Sequence, residues 1–345
     1  MSYISKFKIE DDLLSFELNN NKKDVKISLA NAIRRTIISD IPTYAINENE
    51  VIFYENSSML NNEFLKHRLS LIPINCELED VNYDNLLISC KKTNSEENIV
   101  SVYVKDFIVK DIVKNEEVDI LQIFKYPNIL FGKLQYNQSI SFDAKLIRNN
   151  LEYGGSVFSP VSVCLYTFKI DTKIVNSITE NMPEHEKRRF FTQEVERVYA
   201  KNDIGEPSAY QFSIEANGFY QPKTILFFGL EYLIKRLNNV KTEFRNKKSK
   251  KISLVHNDDN PDFFEFLIDH ENETVGNLLS TYMTYYENVF YCGYVIEHPL
   301  NNNILFRIKL KDNNTLENTI ILIEECIVML INILEKLIKE FRKSV

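Results

Sequence analysis

LENTIILIEECIVMLINILEKLIKEF, residues 316–341, cannot stand alone in water. Leu316, Ile320, Ile323, Ile327, Leu330, Leu334, Leu337 and Phe341 recur at alternating steps of four and three, a heptad seam along one face of a helix. Each Leu or Ile buried from such a seam contributes about 1.5–3 kcal/mol relative to exposure, so the face needs a partner. Asn314 can cap this helix with Glu317 three positions on. The helix then extends to about Arg342, roughly 40 Å at 1.5 Å per residue. A second seam supplies the partner. Pro222 suits a first helical turn, and Leu226, Leu230, Leu233, Leu237 and Val240 then follow the same alternation. The two helices are expected to pair within the chain, through Leu226, Leu230, Leu233 and Leu237 on one and Ile323, Ile327, Leu330, Leu334 and Leu337 on the other.

Outward from these helices the chain alternates between strands and helices. Residues 3–18 read as two strands about the turn at Asp11 and Asp12. A helix follows from about Val25 to Ser39, with Ile27, Ala30, Ile33 and Ile37 as its apolar stripe, and Asp40 and Pro42 end it. Strand patterns then dominate from Tyr44 to Phe168: Val51–Tyr54, Leu86–Cys90, Val100–Val109, Gln138–Phe142 and Val161–Ile170. One helical insert falls near Met59–Leu69. A polar stretch from Asn176 to Asp203 reads as surface helix and loop, and Tyr210–Glu215 as a strand. Lys241–Lys251 is rich in Lys and Arg and reads as a linker. The last ninety-odd residues repeat the opening plan: strands at Ile252–His256 and Phe263–Ile268, a helix at Glu273–Tyr286, strands at Tyr294–Ile296 and Ile304–Leu310, then the long helix. The fold class is α+β.

Composition narrows the function. Across 345 residues the formal charge is −8, against the basic balance usual in proteins that wrap nucleic acid, so no direct sequence-specific nucleic-acid binding is expected. The basic run Lys247–Lys251 reads as a solvated linker. With 8 glycines, the chain holds neither G-x-G-x-x-G nor G-x-x-x-x-G-K. Cys76, Cys90, Cys164, Cys292 and Cys326 are scattered and odd in number, as for free thiols in a reducing compartment, and no C-x-x-C offers zinc ligands. The start alternates polar and apolar residues, unlike a signal peptide. The greasiest stretch, Thr319–Leu334, is interrupted by Glu324 and Glu325 and falls short of the roughly 20 residues of a membrane span. A cytoplasmic protein with no membrane partner is the expectation.

No catalytic set assembles. His67, His185, His256, His270 and His298 form no H-x-x-x-H pattern. A Cys76–His67 nucleophile pair stays open beside the plainer reading of a buried thiol near an ordinary histidine. Asp11/Asp12 and Asp258/Asp259 sit at turns. Arg34 and Arg35, in mid-helix beside the apolar stripe, either face solvent or dock a carboxylate or carbonyl surface on another chain. A two-module protein-binding adaptor fits these residues too.

Longer motifs narrow the choice. Leu29-Ala30-Asn31-Ala32-Ile33-Arg34-Arg35, followed by Ile41-Pro42-Thr43-Tyr44-Ala45-Ile46, resembles the signature of the alpha-like subunits of multisubunit RNA polymerases. Asn62-Glu63-Phe64-Leu65-Lys66-His67-Arg68-Leu69-Ser70-Leu71-Ile72-Pro73 is similar to the next block of the third-largest, archaeal D-type, subunit. Glu273-Thr274-Val275-Gly276-Asn277-Leu278-Leu279, then Cys292-Gly293-Tyr294-Val295-Ile296 and His298-Pro299, resembles the small partner, the eleventh or archaeal L-type subunit. The chain thus looks like a fusion of the two, as found in large DNA viruses that replicate in the cytoplasm. The resemblance implies two alpha-like dimerisation modules, each an antiparallel sheet plus helices, paired through long helices, with a mostly β insertion domain. It places the D-type module at 1–42 and 208–245, the insertion at 43–207, the linker and first strand at 246–256, and the L-type module at 257–345.

It further implies a non-catalytic assembly platform of a DNA-directed RNA polymerase, with the second-largest, the largest and smaller polymerase subunits as partners. No cofactor follows. Of the cysteine cluster many relatives carry in the insertion, only Cys76 and Cys90 fall near, and Gly155-Ser156-Val157-Phe158 stands where the family often has H-A-K-(W/F). The implied docking residues are Asn31, Arg34 and Arg35 on the first helix, with Glu63, His67 and Arg68 in the next block.

Overall fold

A computed structural model describes residues 2–20, 24–78, 80–246, 249–255 and 262–344. Lys247, Lys248, His256, Asp258 and Asp259 lie outside the described residues.

Two four-stranded antiparallel sheets carry one plan. In the first half the strands are Ile4–Glu10, Leu13–Asn19, Val161–Phe168 and Ala209–Ala216; in the second they are Ile252–Val255, Phe264–Asp269, Val289–Val295 and Asn303–Leu310. Numbered along the chain, both sheets run first, second, fourth, third. Each half has a helix after its second strand, Ile27–Ser39 and Glu273–Met283, and another after its fourth, Pro222–Arg245 and Leu316–Ser344. Each helix packs on its counterpart from the other half: the two shorter helices on each other, the two long ones on each other. One continuous apolar core therefore joins both sheets and all four helices.

The seams explain the pairing. Leu226, Leu230, Leu233 and Leu237 are buried, as are Ile323, Ile327, Leu330, Leu334 and Leu337, all within this shared core. At the start of the last helix the seam frays, with Leu316 exposed. Gly229 permits a close crossing inside the first half, since a Cβ there would lie 2.4 Å from Cγ1 of Ile37 on the shorter helix.

The insertion forms a separate β core. Strands Thr43–Ile46, Ser139–Asn149, Leu86–Thr93, Ile108–Asp111 and Glu116–Val118 make one sheet, with Ile52–Asn56 paired to Ser139–Asn149. Its apolar cluster runs from Ile46 to Leu146 and is distinct from the shared core.

Several expectations need correction. Val161–Phe168 is a strand of the first sheet, so the insertion's own core ends near Asn149 and not at 207. Val100–Val109 is no single strand: a turn at Val104–Asp106 breaks it, held by Asp106 accepting from the Tyr103 backbone N–H at 2.7 Å. Ile27 is 46% exposed, and Leu29 takes its place in the buried stripe. Lys241–Arg245 is not linker but the last turn of the long helix, with Phe244 buried. Asn314 does not cap the final helix. Its amide oxygen accepts from the Leu310 N–H, while Thr315 Oγ1 accepts from the Asn318 N–H.

Candidate docking surface

Asn31 and Arg34 lie three residues apart on the first helix, and so on one face. Nε and Nη2 of Arg34 donate to Asn31 Oδ1 at 3.1 and 3.0 Å, which fixes a half-buried guanidinium against its own helix. The arginine also lies beside strand Val161–Phe168. Burial pushes the Cys164 thiol up to about 12 there, with the Arg34 charge opposing it.

Arg35 points elsewhere. Its Nε donates to Thr274 Oγ1 at 2.7 Å, and its Nη2 lies 3.4 Å from Glu273 Oε2. Both partners open the shorter helix of the second half. Arg34 and Arg35, offered together as docking residues, thus part company: Arg34 bonds its own helix, and Arg35 joins the two halves.

Glu63, His67 and Arg68 sit on helix Asn62–Ser70, capped by Asn61 accepting from the Phe64 N–H at 2.9 Å. Leu65 and Leu69 anchor this helix in the insertion core, so these residues belong to a different body from Asn31 and Arg34. Glu63 and His67 are exposed. Arg68 turns inward and donates to the carbonyls of Leu130 and Phe131 at 2.6 and 3.1 Å. It braces the insertion. Around Glu63 and His67, Met59, Phe64 and Leu71 are exposed large apolar residues. Sequence reasoning missed them, although Phe64 and Leu71 fall off the i, i+4 register of Leu65 and Leu69.

A buried ionic clasp was missed as well. Arg236 on the long helix reaches Asp40 at 3.0 Å and Glu271 at 2.8 Å. Burial pushes the Glu271 carboxyl up, Arg236 pulling it the other way. Its only sequence signal is an arginine directly before the seam position Leu237. At the other end of the shorter helices, Tyr282 of the second half donates to the Asp24 carbonyl at 2.6 Å and accepts from the Lys26 N–H at 3.1 Å. Lys26 pairs with Glu206 at 2.9 Å, and the Tyr285 hydroxyl donates to the same carboxylate at 2.8 Å.

The thiols offer no nucleophile. Burial pushes Cys76 up to about 12, Cys90 to about 11 and Cys326 to about 12, and it raises Cys292 too. Cys76 Sγ donates to the Ile74 carbonyl at 3.2 Å and accepts from the Tyr44 N–H at 3.4 Å, a structural use of the group. Among the described residues no cluster of three or more His, Cys, Asp or Glu side chains could hold a metal ion, and no helix is long and apolar enough to cross a membrane.

Two paired modules of one topology invite comparison with known proteins. The family model described as the RNA polymerase Rpb3/Rpb11 dimerisation domain matches residues 22–237, and a second of the same description matches 264–340. The chain belongs to the Rpb3/Rpb11 dimerisation family. Its two matched segments correspond to the two halves that pair here. Family relatives include the DNA-directed RNA polymerase subunit Rpo3 of Pyrococcus furiosus, 27% identical over 70% of this chain and 96% of the relative. They also include subunit 3B of RNA polymerases IV and V of Arabidopsis thaliana, 26% identical over 60% and 71%. RPAC1 of polymerases I and III of Saccharomyces cerevisiae is 29% identical over 47% and 56%. Rpb3/Rpb11 family members are structural subunits and not catalysts, and the chain is an alpha-like, non-catalytic RNA polymerase subunit of that kind.

Proposed function

We propose that this chain is a fused D-type and L-type subunit that serves as the assembly platform of a DNA-directed RNA polymerase, seating the second-largest subunit and then the largest. One observation carries the reading: two modules of the Rpb3/Rpb11 dimerisation family, elsewhere the property of separate subunits by the resemblance above, share one core in one polypeptide. Tethering makes their pairing intramolecular, at an effective concentration in the millimolar range for a short flexible linker, so assembly does not wait for two chains to meet. The platform then presents Asn31 and Arg34, pre-oriented on each other, toward a carboxylate or carbonyl surface of the second-largest subunit. Glu63 and His67, with Phe64 between them, form a second contact on the insertion, which Arg68 holds in shape. Arg35 acts through the pairing of the halves. Smaller polymerase subunits complete the set of partners. A fusion of this kind suits a large DNA virus, working in the host cytoplasm or packaged in the virion.

Pull-down with the second-largest subunit tests the docking face. Arg34→Glu should reduce capture at least tenfold while leaving the urea midpoint of the isolated chain near that of the wild type. Undiminished capture would remove the first-helix face from the interface.

A further inference from the structure

The two halves are topological copies, so each position at their junction has a counterpart. The long-helix seams superpose step for step: Leu226, Leu230, Leu233, Leu237, Val240 and Phe244 on Ile323, Ile327, Leu330, Leu334, Leu337 and Phe341. That register sets Arg236 over Ile333. The shorter helices start after Lys26 and Asn272, and Asn31 then matches Asn277. Val25 thereby matches Glu271, Ile27 matches Glu273, and Arg35 matches Thr281.

The chemistry at these matched positions is not symmetric. At one end of the junction Arg236 of the first half meets Glu271 of the second at 2.8 Å, both nearly buried. At the other end the matched residues are apolar: Ile333 and Val25 are buried in the shared core, and Ile333 lines one hollow with Asp24, Val25's neighbour. A second pair repeats the pattern. Arg35 faces Glu273 and Thr274, whereas its counterpart Thr281 and the counterparts Ile27 and Ser28 carry no charge. Tyr282 bonds across the junction, but the hydroxyl of its shorter counterpart Thr36 is buried without a hydrogen-bond partner. Arginines thus lie on the first half and glutamates on the second.

We propose that Arg236 and Glu271, supported by Arg35 and Glu273, are specificity determinants that make the second half accept the first and reject a second copy of itself. Two first halves would set Arg236 against Val25. Two second halves would set Glu271 against Ile333, without the guanidinium that Arg236 supplies. A buried charge stripped of its partner is strongly unfavourable, whereas the intact pair adds little over an apolar one. The upward push of burial on Glu271 agrees with a pair that selects more than it stabilises. Asp40 belongs to the first half with Arg236 and so goes with it into either pairing; Glu271 is the group left stranded. The halves need this device because both expose the same seam while folding, and like pairing between chains would yield dead-end dimers. The inference rests on the pairing of the halves and not on the docking proposed above.

Complementation between full-length chains tests it. Arg236→Glu sets three carboxylates together within one chain, and Glu271→Arg sets two arginines together. Co-expressed with different tags, the variants can exchange halves. One junction then brings the two substituted positions together with their charges reversed, and the other restores Arg236 to Glu271. The expected result is a 1:1 heterodimer that co-purifies through either tag, at twice the chain mass by light scattering, while two tagged wild-type chains remain separate monomers. R236I/E271V, which gives each half the apolar residue of its counterpart, is the folding control. If that control folds and the two charge variants fail to co-purify, whether as monomers or as aggregates, the proposal is overturned.

Discussion

Arg34 and Arg35 are adjacent in the chain but about 100° apart around the helix, and that angle separates their roles. A one-residue difference decides which guanidinium bonds its own helix and which crosses to Thr274. The sequence marked both as binders of oxygen, which is correct chemistry, but the partner of Arg35 lies 239 residues away. No local pattern encodes such a distance. Arg68 shows the same limit, since its carbonyl partners at Leu130 and Phe131 become neighbours only once the insertion sheet has formed. The cysteines are more legible, because scattered spacing already pointed to free thiols. Their burial makes a prediction at this scale. A thiol raised to about 12 holds far less thiolate at neutral pH than an ordinary one near 8.5, and the thiolate is the form that reacts. Alkylation of the native chain at pH 7 should run at least a hundredfold slower than in urea at every cysteine. Fast labelling of Cys76 in the folded chain would contradict the structural role assigned to it.

Among the elements, the long helices were the most legible, because a heptad seam is periodic over many turns and only burial produces it. Their ends were less so. Asn314 and Thr315 are both good caps, and choosing between them depends on whether Asn314 is already engaged at the end of the preceding strand, as it is with Leu310. Lys241–Arg245 looked like linker by charge, yet one apolar residue, Phe244, is enough to carry the helix on by packing edge-on against Phe266 at 5.3 Å. The crossing at Gly229 was not singled out in the sequence, where a helical glycine reads only as a weak spot. Its role gives a prediction. Gly229→Ala should destabilise the chain by about 1–3 kcal/mol through overpacking against Ile37, although alanine is the better helix former. Urea midpoints measure it. In the double variant with Ile37→Ala, the two losses should sum to less than their separate values, since the cavity that Ile37→Ala leaves lies where the new methyl group must go. Additive losses would show that the crossing is looser than 2.4 Å implies.

For the whole molecule, the repeat of one plan in two halves was legible because strand and helix patterns recur in order. The third strand of the first sheet was not, since Val161–Phe168 is separated by the entire insertion from the Leu13–Asn19 half of its sheet. The consequence is a molecule with two cores. The halves share one, and the insertion holds the other. A cut into the shared core should therefore be felt in both halves and spare the insertion. Leu330→Ala removes a fully buried residue of the second half, at a cost of about 2–5 kcal/mol. Hydrogen exchange followed by mass spectrometry reads where that loss appears, because amides that open only by cooperative unfolding report the stability of their own unit. Strand Leu13–Asn19 in the first half and strand Phe264–Asp269 in the second should accelerate by the same factor. Strand Leu86–Thr93 should keep its wild-type rate. Acceleration confined to Phe264–Asp269 would mean that the halves unfold independently and that the long helices touch without forming one cooperative core, while acceleration of all three strands would mean that the insertion shares that core.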